Sequence, residues 1–490
     1  MTWRALSTRG LAASAVQSLW LVAPAVVTLT RLLSGRDWTW PQITAACAGA
    51  AAVICAGVLA YDLARLRTTR WRLTAERLEL RSGLAERRHR SIPRDRVRSV
   101  DIIASPVRRA FGLAVVKVGT GQHGGDGDEL TLDPLLRQEA EALRRTLLEP
   151  GAEAAEERDA AIARLDWAWI RFAPLTVWSF VGGAVAVGAL YKLVGALGFD
   201  LLAWQTMAGA WHWLTDRPWV AVPLVVAANV VFGVVGAVAV FAEAWSGYRL
   251  EREPGRLRLR RGLLTTRSLT LEERRLRGVE VSEPLLLRLG GAARVKAVAT
   301  GLRKAGDKET EDVAALTPPM PREPAWEVAA RIMGGAATPV LLPHPKAARG
   351  RRLRGAVLDT LLLAALVGGL DLLFDRVPWQ AWALPVVVLP VALAFAWDGY
   401  RGLGHALSRT HLVTRSGSAV RSTVALDRAG IVGWTVRGSW FQRRLGLITL
   451  TATTAAGTGH YDVVDVGREA GLELAAHAVP GLIDPFLRRH

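Results

Sequence analysis

Five long stretches of the chain contain no Asp, Glu, Lys or Arg: Leu11–Thr30, Trp38–Tyr61, Phe172–Tyr191, Pro218–Ala242 and Val377–Trp397. Each is close to the ~20 residues a helix needs to cross the hydrocarbon core of a bilayer. A sixth apolar stretch, Val357–Phe374, contains Asp359 and Asp371, both near its ends, where a carboxylate can reach the interface. Only a helix or a closed barrel satisfies its backbone inside lipid. The stretches are therefore expected to be six membrane helices, paired as three hairpins.

The polar segments between the hairpins repeat. Leu73–Gly83 reads LTAERLELRSG and Leu407–Gly417 reads LSRTHLVTRSG, while Leu250–Gly262, LEREPGRLRLRRG, has the same ends with two extra residues. Each copy runs on to a glycine beside arginine, at Gly112, Gly290 and Gly446, giving intervals of 39, 40 and 39 residues from the opening Leu. Alternating apolar positions and the glycines Gly83, Gly262 and Gly417 predict strands joined by turns. The runs Leu113–Val118, Ala293–Ala299 and Leu447–Thr453 are the richest in β formers. A helix is expected to close each copy: one opening at Asp133 as N-cap with Pro134 in its first turn, then Glu323–Met333, then Arg468–Val479. Each soluble unit is thus a small antiparallel barrel or sandwich of about 85 residues, ended by a helical plug.

These residues resemble the bacterial membrane proteins with PH-like (pleckstrin-homology-like) domains, in which a transmembrane hairpin precedes each domain. The resemblance rests on the Leu-rich first hairpin with its Ser-Gly turn, on SIPRDRVRSVDI (Ser91–Ile103) leading to SPVRRAFGL (Ser105–Leu113), and on the strand and helix that follow. It covers nearly the whole chain. It implies a fold class of membrane α plus β, with six transmembrane helices alternating with three PH-like antiparallel β barrels, each capped by a C-terminal helix. The expected segments are 1–66 (N-terminus and hairpin 1), 67–149 (PH-like domain 1), 150–166 (acidic linker), 167–246 (hairpin 2), 247–335 (PH-like domain 2), 336–354 (linker), 355–398 (hairpin 3) and 399–490 (PH-like domain 3). The resemblance implies a fold and a location and no established catalytic activity.

Charge then orients the spans. The net charge is +18, and the three short loops inside the hairpins together carry −2, which leaves +20 for everything else. By the positive-inside rule both termini and all the long polar segments are expected in the cytoplasm, at the plasma membrane. A basic inner side is ordinary for such topology, so nucleic acid is not expected as a partner. Cys47 and Cys55 both lie in the second span, which predicts neither a disulfide framework nor a metal motif.

Candidate chemistry is sparse. Arg108, Arg109, Arg288, Arg443 and Arg444 flank the landmark glycines, and such arginines are suited to lipid phosphates of an anionic leaflet or to a protein partner. Asp62, Glu243 and Asp398 recur where the second helix of each hairpin reaches the cytoplasm, beside Trp or Tyr, as in an interfacial anchor belt. The loop GQHGGDGDE (Gly121–Glu129) lacks the frame of a calcium loop and reads as a hairpin connection. No HExxH, GxSxG or Walker-type motif occurs, so neither catalytic residues nor a cofactor is expected. The function expected is a non-enzymatic scaffold or sensor binding membrane lipids, anionic phospholipids among them, or a protein partner. The alternatives are a transport or membrane-remodelling component and an accessory subunit of a membrane enzyme.

Overall fold

A computed structural model of the chain describes residues 3–35, 38–83, 87–94, 97, 99–119, 129–148, 161–176, 188, 192, 216–300, 314–334, 340–374 and 378–482. The chain forms two compact bodies, Met1–Glu272 and Glu273–His490. The middle copy, expected as one domain over 247–335, is therefore divided between them.

In the first body β1 (Arg4–Ala5) leads into helices α1 (Gly10–Ser34) and α2 (Trp40–Thr68). The two helices pack as a hairpin through Leu33, Ile43 and Cys47. Thr39 opens α2 with a capping box: its backbone N–H donates to Gln42 Oε1 at 3.0 Å, and Pro41 sits in the first turn, where its missing N–H costs nothing. The last turn carries Arg65 and Arg67, as suits a helix C-terminus.

Six strands and two helices follow as the first copy: β2 (Arg70–Leu73), β3 (Arg77–Ser82), β4 (Arg88–Pro93), β5 (Ser99–Ala104), the one-turn helix α3 (Pro106–Ala110), β6 (Leu113–Gly119), β7 (Glu129–Leu136) and α4 (Arg137–Leu148). The first half of the second copy completes this body. It consists of β8 (Ala161–Arg164), α5 (Pro218–Trp245), β9 (Arg249–Glu253), β10 (Arg256–Arg261) and β11 (Thr266–Glu272).

The second body begins with β12 (Leu276–Pro284), α6 (Leu285–Leu289), β13 (Ala292–Ala299), β14 (Met320–Pro321) and α7 (Arg322–Ile332). Then come the hairpin α8 (Lys346–Phe374) and α9 (Ala383–Arg401), and the third copy: β15 (Gly404–Leu407), β16 (His411–Ser416), β17 (Val420–Asp427), β18 (Ile431–Arg437), α10 (Trp440–Arg444), β19 (Leu447–Thr454), β20 (His460–Gly467) and α11 (Arg468–Ala478).

Among the described residues five helices are long and apolar enough to cross a membrane: α1, α2, α5, α8, and α9 with the 3-10 turn that leads into it from Trp379. Asp359 and Asp371 are both accommodated in α8. The span expected at Phe172–Tyr191 falls mostly outside the described residues, as does the loop Gly121–Asp128.

The strand ladders place the three copies in one frame. β3 pairs β4 with Arg77 opposite Pro93, β10 pairs β11 with Arg256 opposite Glu272, and β16 pairs β17 with His411 opposite Asp427. On the preceding strand Leu73, Arg252 and Leu407 are equivalent, each facing the Leu at 78, 257 or 412. The glycines with positive φ after the short helices are Gly112, Gly291 and Gly446. The interval is thus 39 residues in every copy. The two extra residues expected in the middle copy do not exist. Arg252 stands where the other copies have Leu, so matching on leucine slides the alignment to Leu250 and the landmark to Gly290.

Within copy one, the β2–β4 half and the β5–β7 half face each other across a core of Leu78, Leu80, Ile92, Val100, Val116, Leu130 and Leu132, closed by Leu143 and Leu147 of α4. Copy three is built alike around Leu412, Leu426, Leu450, Val463 and Leu474. The helix expected at Asp133 begins instead at Arg137, because β7 continues to pair with β6 through Leu136. Asp133 and Pro134 together stand opposite Val115 as a bulge in that ladder.

The sheets do not close within a copy. One seven-stranded sheet runs β7-β6-β5-β11-β10-β9-β8, joining the second half of copy one to the first half of copy two; a six-stranded sheet, β14-β13-β12-β17-β16-β15, joins copy two to copy three in the same way. The registers agree. Thr266 lies opposite Ala104 and Leu271 opposite Ser99, while Arg421 lies opposite Glu283 and Leu426 opposite Gly278. A self-contained barrel would seal each copy's own edges; here the fourth strands β5 and β12 take the third strands β11 and β17 of the next copies, so backbone groups along those edges are satisfied by the following copy.

Candidate functional site

The short helices α3, α6 and α10 occupy one position in each copy, between the fourth and fifth strands. Ser105 and Ser439 cap α3 and α10 by accepting the backbone N–H of Arg108 and Gln442. Each helix ends on the positive-φ glycine, whose carbonyl accepts the first N–H of the closing helix: Arg137 to Gly112, Arg322 to Gly291, Arg468 to Gly446. That glycine's own N–H donates to Arg109, Arg288 or Arg443. These three arginines are therefore equivalent, which the sequence alone blurs.

Three of the five candidate arginines are engaged inside the protein. Arg108 Nη2 donates to Asp133 Oδ2 at 3.0 Å, and Arg65 at the base of α2 approaches the same oxygen at 3.7 Å. Arg109 Nη1 donates to the carbonyl of Leu263, in the next copy, at 2.7 Å. Arg288 Nη2 donates to Asp398 Oδ2 at 2.8 Å, while Arg421 takes the other oxygen at 3.0 Å. Thus Arg109 and Arg288 each reach forward to the following copy. Arg443 and Arg444 are exposed, the latter lying over the Trp440 ring at 4.1 Å. Arg108→Ala is expected to lower stability by about 1–2 kcal/mol, the worth of one charge-assisted hydrogen bond, as a lower melting temperature in detergent. An unchanged melting temperature would contradict that role.

The acids at the helix ends serve as ties. Glu243 Oε1 and Oε2 accept the N–H groups of Thr265 and Leu264 at 2.9 Å each, holding the Gly262 turn to the base of α5. Asp398 does the corresponding work through Arg288 and Arg421. Asp62 lines a small cavity with Arg65, Arg108 and Asp133.

Among the described residues a dense polar cluster stands at the base of the third hairpin, and no motif announces it. Asp465, fully buried in a bulge of β20, receives Arg351 at 2.7 Å, Arg352 at 3.2 Å and Gln442 Nε2 at 2.9 Å. Its φ of 58° is one that Asp tolerates better than most residues. Burial alone would raise its carboxyl; hydrogen bonds from Arg351 and Gln442 and the arginine charges outweigh that and hold it below the usual range. Beside it Leu445 packs with Ala347 and Ala348 of α8 and with Tyr400 and Leu403 at the end of α9. The last strand, the short helix and the hairpin are thereby locked together, as Asp133, Arg108 and Arg65 lock them in copy one.

Two buried histidines extend this cluster. The Asp465 carbonyl can only accept, so His344 Nδ1 donates to it at 3.2 Å and His344 Nε2 accepts from His405 Nδ1 at 3.0 Å. His344 is then neutral. Burial, and secondarily the neighbouring His344, pushes His405 down to about 4. Burial also lowers His344, although Asp465 pulls the other way. A depressed histidine stabilises the fold fully above its unfolded value near 6.5 and loses that contribution as pH falls toward 4. Between those limits stability is expected to fall by about 1.4 kcal/mol per pH unit, measurable as melting temperature against pH. A flat profile from pH 7 to 5 would contradict the neutral pair.

A family description, the bacterial PH domain, matches residues 10–150, 185–332 and 358–478. The chain belongs to the bacterial PH domain family. Its three matched regions correspond to the three copies, and it is a transmembrane protein of that family. It is similar to the UPF0699 transmembrane protein YdbT of Bacillus subtilis (strain 168), at 22% identity over 445 residues, covering 86% of this chain and 87% of the relative. No solved structure matches. In these bacterial PH domains Asp465, His344 and His405 escape sequence reading because they are isolated residues, assembled only by the bulge in β20 and by the chain entering α8.

Proposed function

We propose that the chain is a non-enzymatic scaffold of the plasma membrane. Six spans in three hairpins, with both termini and the soluble domains in the cytoplasm, hold three PH-like domains against the inner leaflet and present a binding face at the end of the array. The strongly basic polar segments support the orientation. The carboxylate clamps at the hairpin bases support the rigid anchoring.

One observation carries the binding role: the end face of the third copy. Val432 (63% exposed), Val436 (45%), Trp440 (52%) and Phe441 (55%) stand together with Arg443 and Arg444 along β18 and α10. Contiguous exposed apolar groups mark interaction surfaces. In copy two the following copy covers the equivalent face: the Leu285 N–H donates to the Ala419 carbonyl at 2.7 Å, and Arg288 reaches Asp398. This history of burial against protein favours a protein partner over lipid, while anionic headgroups remain the other chemistry suited to Arg443 and Arg444.

The test is purification of the full chain and of Val432→Lys from native membranes in mild detergent, with co-purifying proteins and lipids identified by mass spectrometry. A protein held by the parent chain and lost from the variant supports the reading. An unchanged set of proteins with a drop in bound anionic lipid would overturn it.

A further inference from the structure

We propose that the partner of the end face is the β4 edge of a second copy of this chain, so that the β-ladder linking copies inside one molecule continues from molecule to molecule. The inference rests on reading the end face as a protein-binding surface. Among the described residues, β4 and β18 have a ladder neighbour on one side only. They are not arbitrary edges. β4 is the third strand of copy one, equivalent to β11 and β17, and each of those pairs outward with the fourth strand of the preceding copy. β18 is the fourth strand of copy three, equivalent to β5 and β12, and each of those takes the third strand of the following copy. Among the described residues β4 and β18 are therefore the two halves of an interface that the chain already forms twice.

The internal registers fix the external one. Transposed onto these edges, they place Ile92 opposite Gly433, Ser91 opposite Trp434, Arg90 opposite Thr435, His89 opposite Val436 and Arg88 opposite Arg437. Arginine at the position of Arg88 is already accommodated inside the chain, where Arg267 lies opposite Ile103. One like-charged pair, Arg88 with Arg437, is left near the end of the ladder, and both side chains are exposed. Glycine recurs at a telling place. Gly278 lies so close to β17 that a Cβ there would sit 2.3 Å from the Ala425 carbonyl oxygen, whereas at the equivalent Gly433 the nearest atom is Thr453 Cβ at 3.9 Å. The space beside Gly433 is the space a third strand fills elsewhere. Because the two edges differ, the contact is head-to-tail and propagates into a ring or a row.

The experiment uses full-length chains with Cys47→Ala and Cys55→Ala. One carries Val436→Cys and the other His89→Cys; they are mixed in detergent or nanodiscs and treated with a short bis-maleimide. A cross-linked heterodimer is expected, at least tenfold more abundant than with Arg88→Cys in place of His89→Cys, which points to the other face of the strand. Gly433→Ala is expected to keep the melting temperature and reduce the cross-link severalfold, while Arg437→Glu is expected to raise it. No heterodimer would overturn the proposal. So would a link formed only when both cysteines are in one chain, which would mean the chain closes on itself. If cross-linking fails while Val432→Lys still loses a different protein, the scaffold reading stands and the self-association falls.

Discussion

Asp465→Ala is expected to lower stability by about 3 kcal/mol, the lower end of the cost of removing one partner from a buried ion pair. Three groups converge on this carboxylate: Arg351 and Arg352 from the start of α8 and Gln442 from α10. Without it, two guanidinium groups held at the hairpin base lose their counter-charge. The lower end applies because both arginines keep 20–30% of their side-chain surface in solvent. Alanine also tolerates the φ of 58° less well than Asp. Asp465→Asn, which retains the conformational tolerance and an acceptor for Gln442, is expected to cost less. Thermal unfolding in detergent, followed by circular dichroism, ranks the three. Equal melting temperatures for Asp465→Ala and the parent would remove the clamp from the account.

Gly278→Ala is the second large effect. A Cβ at this position meets the Ala425 carbonyl oxygen at 2.3 Å and Leu426 Cα at 3.1 Å, both backbone atoms of the neighbouring strand that cannot rotate away. The ladder between β12 and β17 must part locally, and overpacking of this kind costs about 1–3 kcal/mol. Gly236→Ala, in α5 with no atom within 4 Å of the new methyl, is the control and is expected to be neutral or slightly stabilising. Faster hydrogen exchange confined to β12 and β17 in Gly278→Ala would locate the damage. A variant as stable as the parent would mean that these strands are not neighbours.

Much of this architecture was legible in the chain. Charge-free stretches marked α1, α2, α5 and α9, because lipid excludes charge wherever a helix crosses it, and α8 was legible although Asp359 and Asp371 lie near the ends of its apolar stretch. The repeated Ser-Gly turns and β-rich runs marked the strands, with the observed boundaries of β6, β13 and β19 within a residue of those expected. The closing helices of copies two and three were similarly placed. What escaped had identifiable causes. Asp133-Pro134 has the chemistry of a helix start, and tertiary pairing with β6 overrode it. Arg252 broke the leucine frame of the middle copy while keeping its backbone register. Cross-copy pairing was invisible because strands with the same alternation fit a neighbour in their own copy or in the next one equally well; the choice is made by chain geometry rather than by residue type.

The candidate site was legible only in part. Arginine beside the landmark glycine was read correctly as a recurrent feature, yet its role depends on what lies within reach. Arg108 has Asp133, Arg288 has Asp398 and Arg109 has a carbonyl of the next copy, and none of these acceptors is near in sequence. Arg443 and Arg444 of the third copy are exposed.

The shared sheets are the centre of the account, and one cross-link tests them most directly. In a chain with Cys47→Ala and Cys55→Ala, the pair Ile102→Cys and Ser268→Cys places two thiols at directly opposed positions of β5 and β11, within reach of a short cross-linker. The pair Ile102→Cys and His89→Cys places them where a self-contained first copy would bring β5 against β4. Rapid linkage of Ile102 to Ser268, with little to His89 in the same chain, is the expected result; the reverse preference would show that each copy closes on itself and would contradict the account.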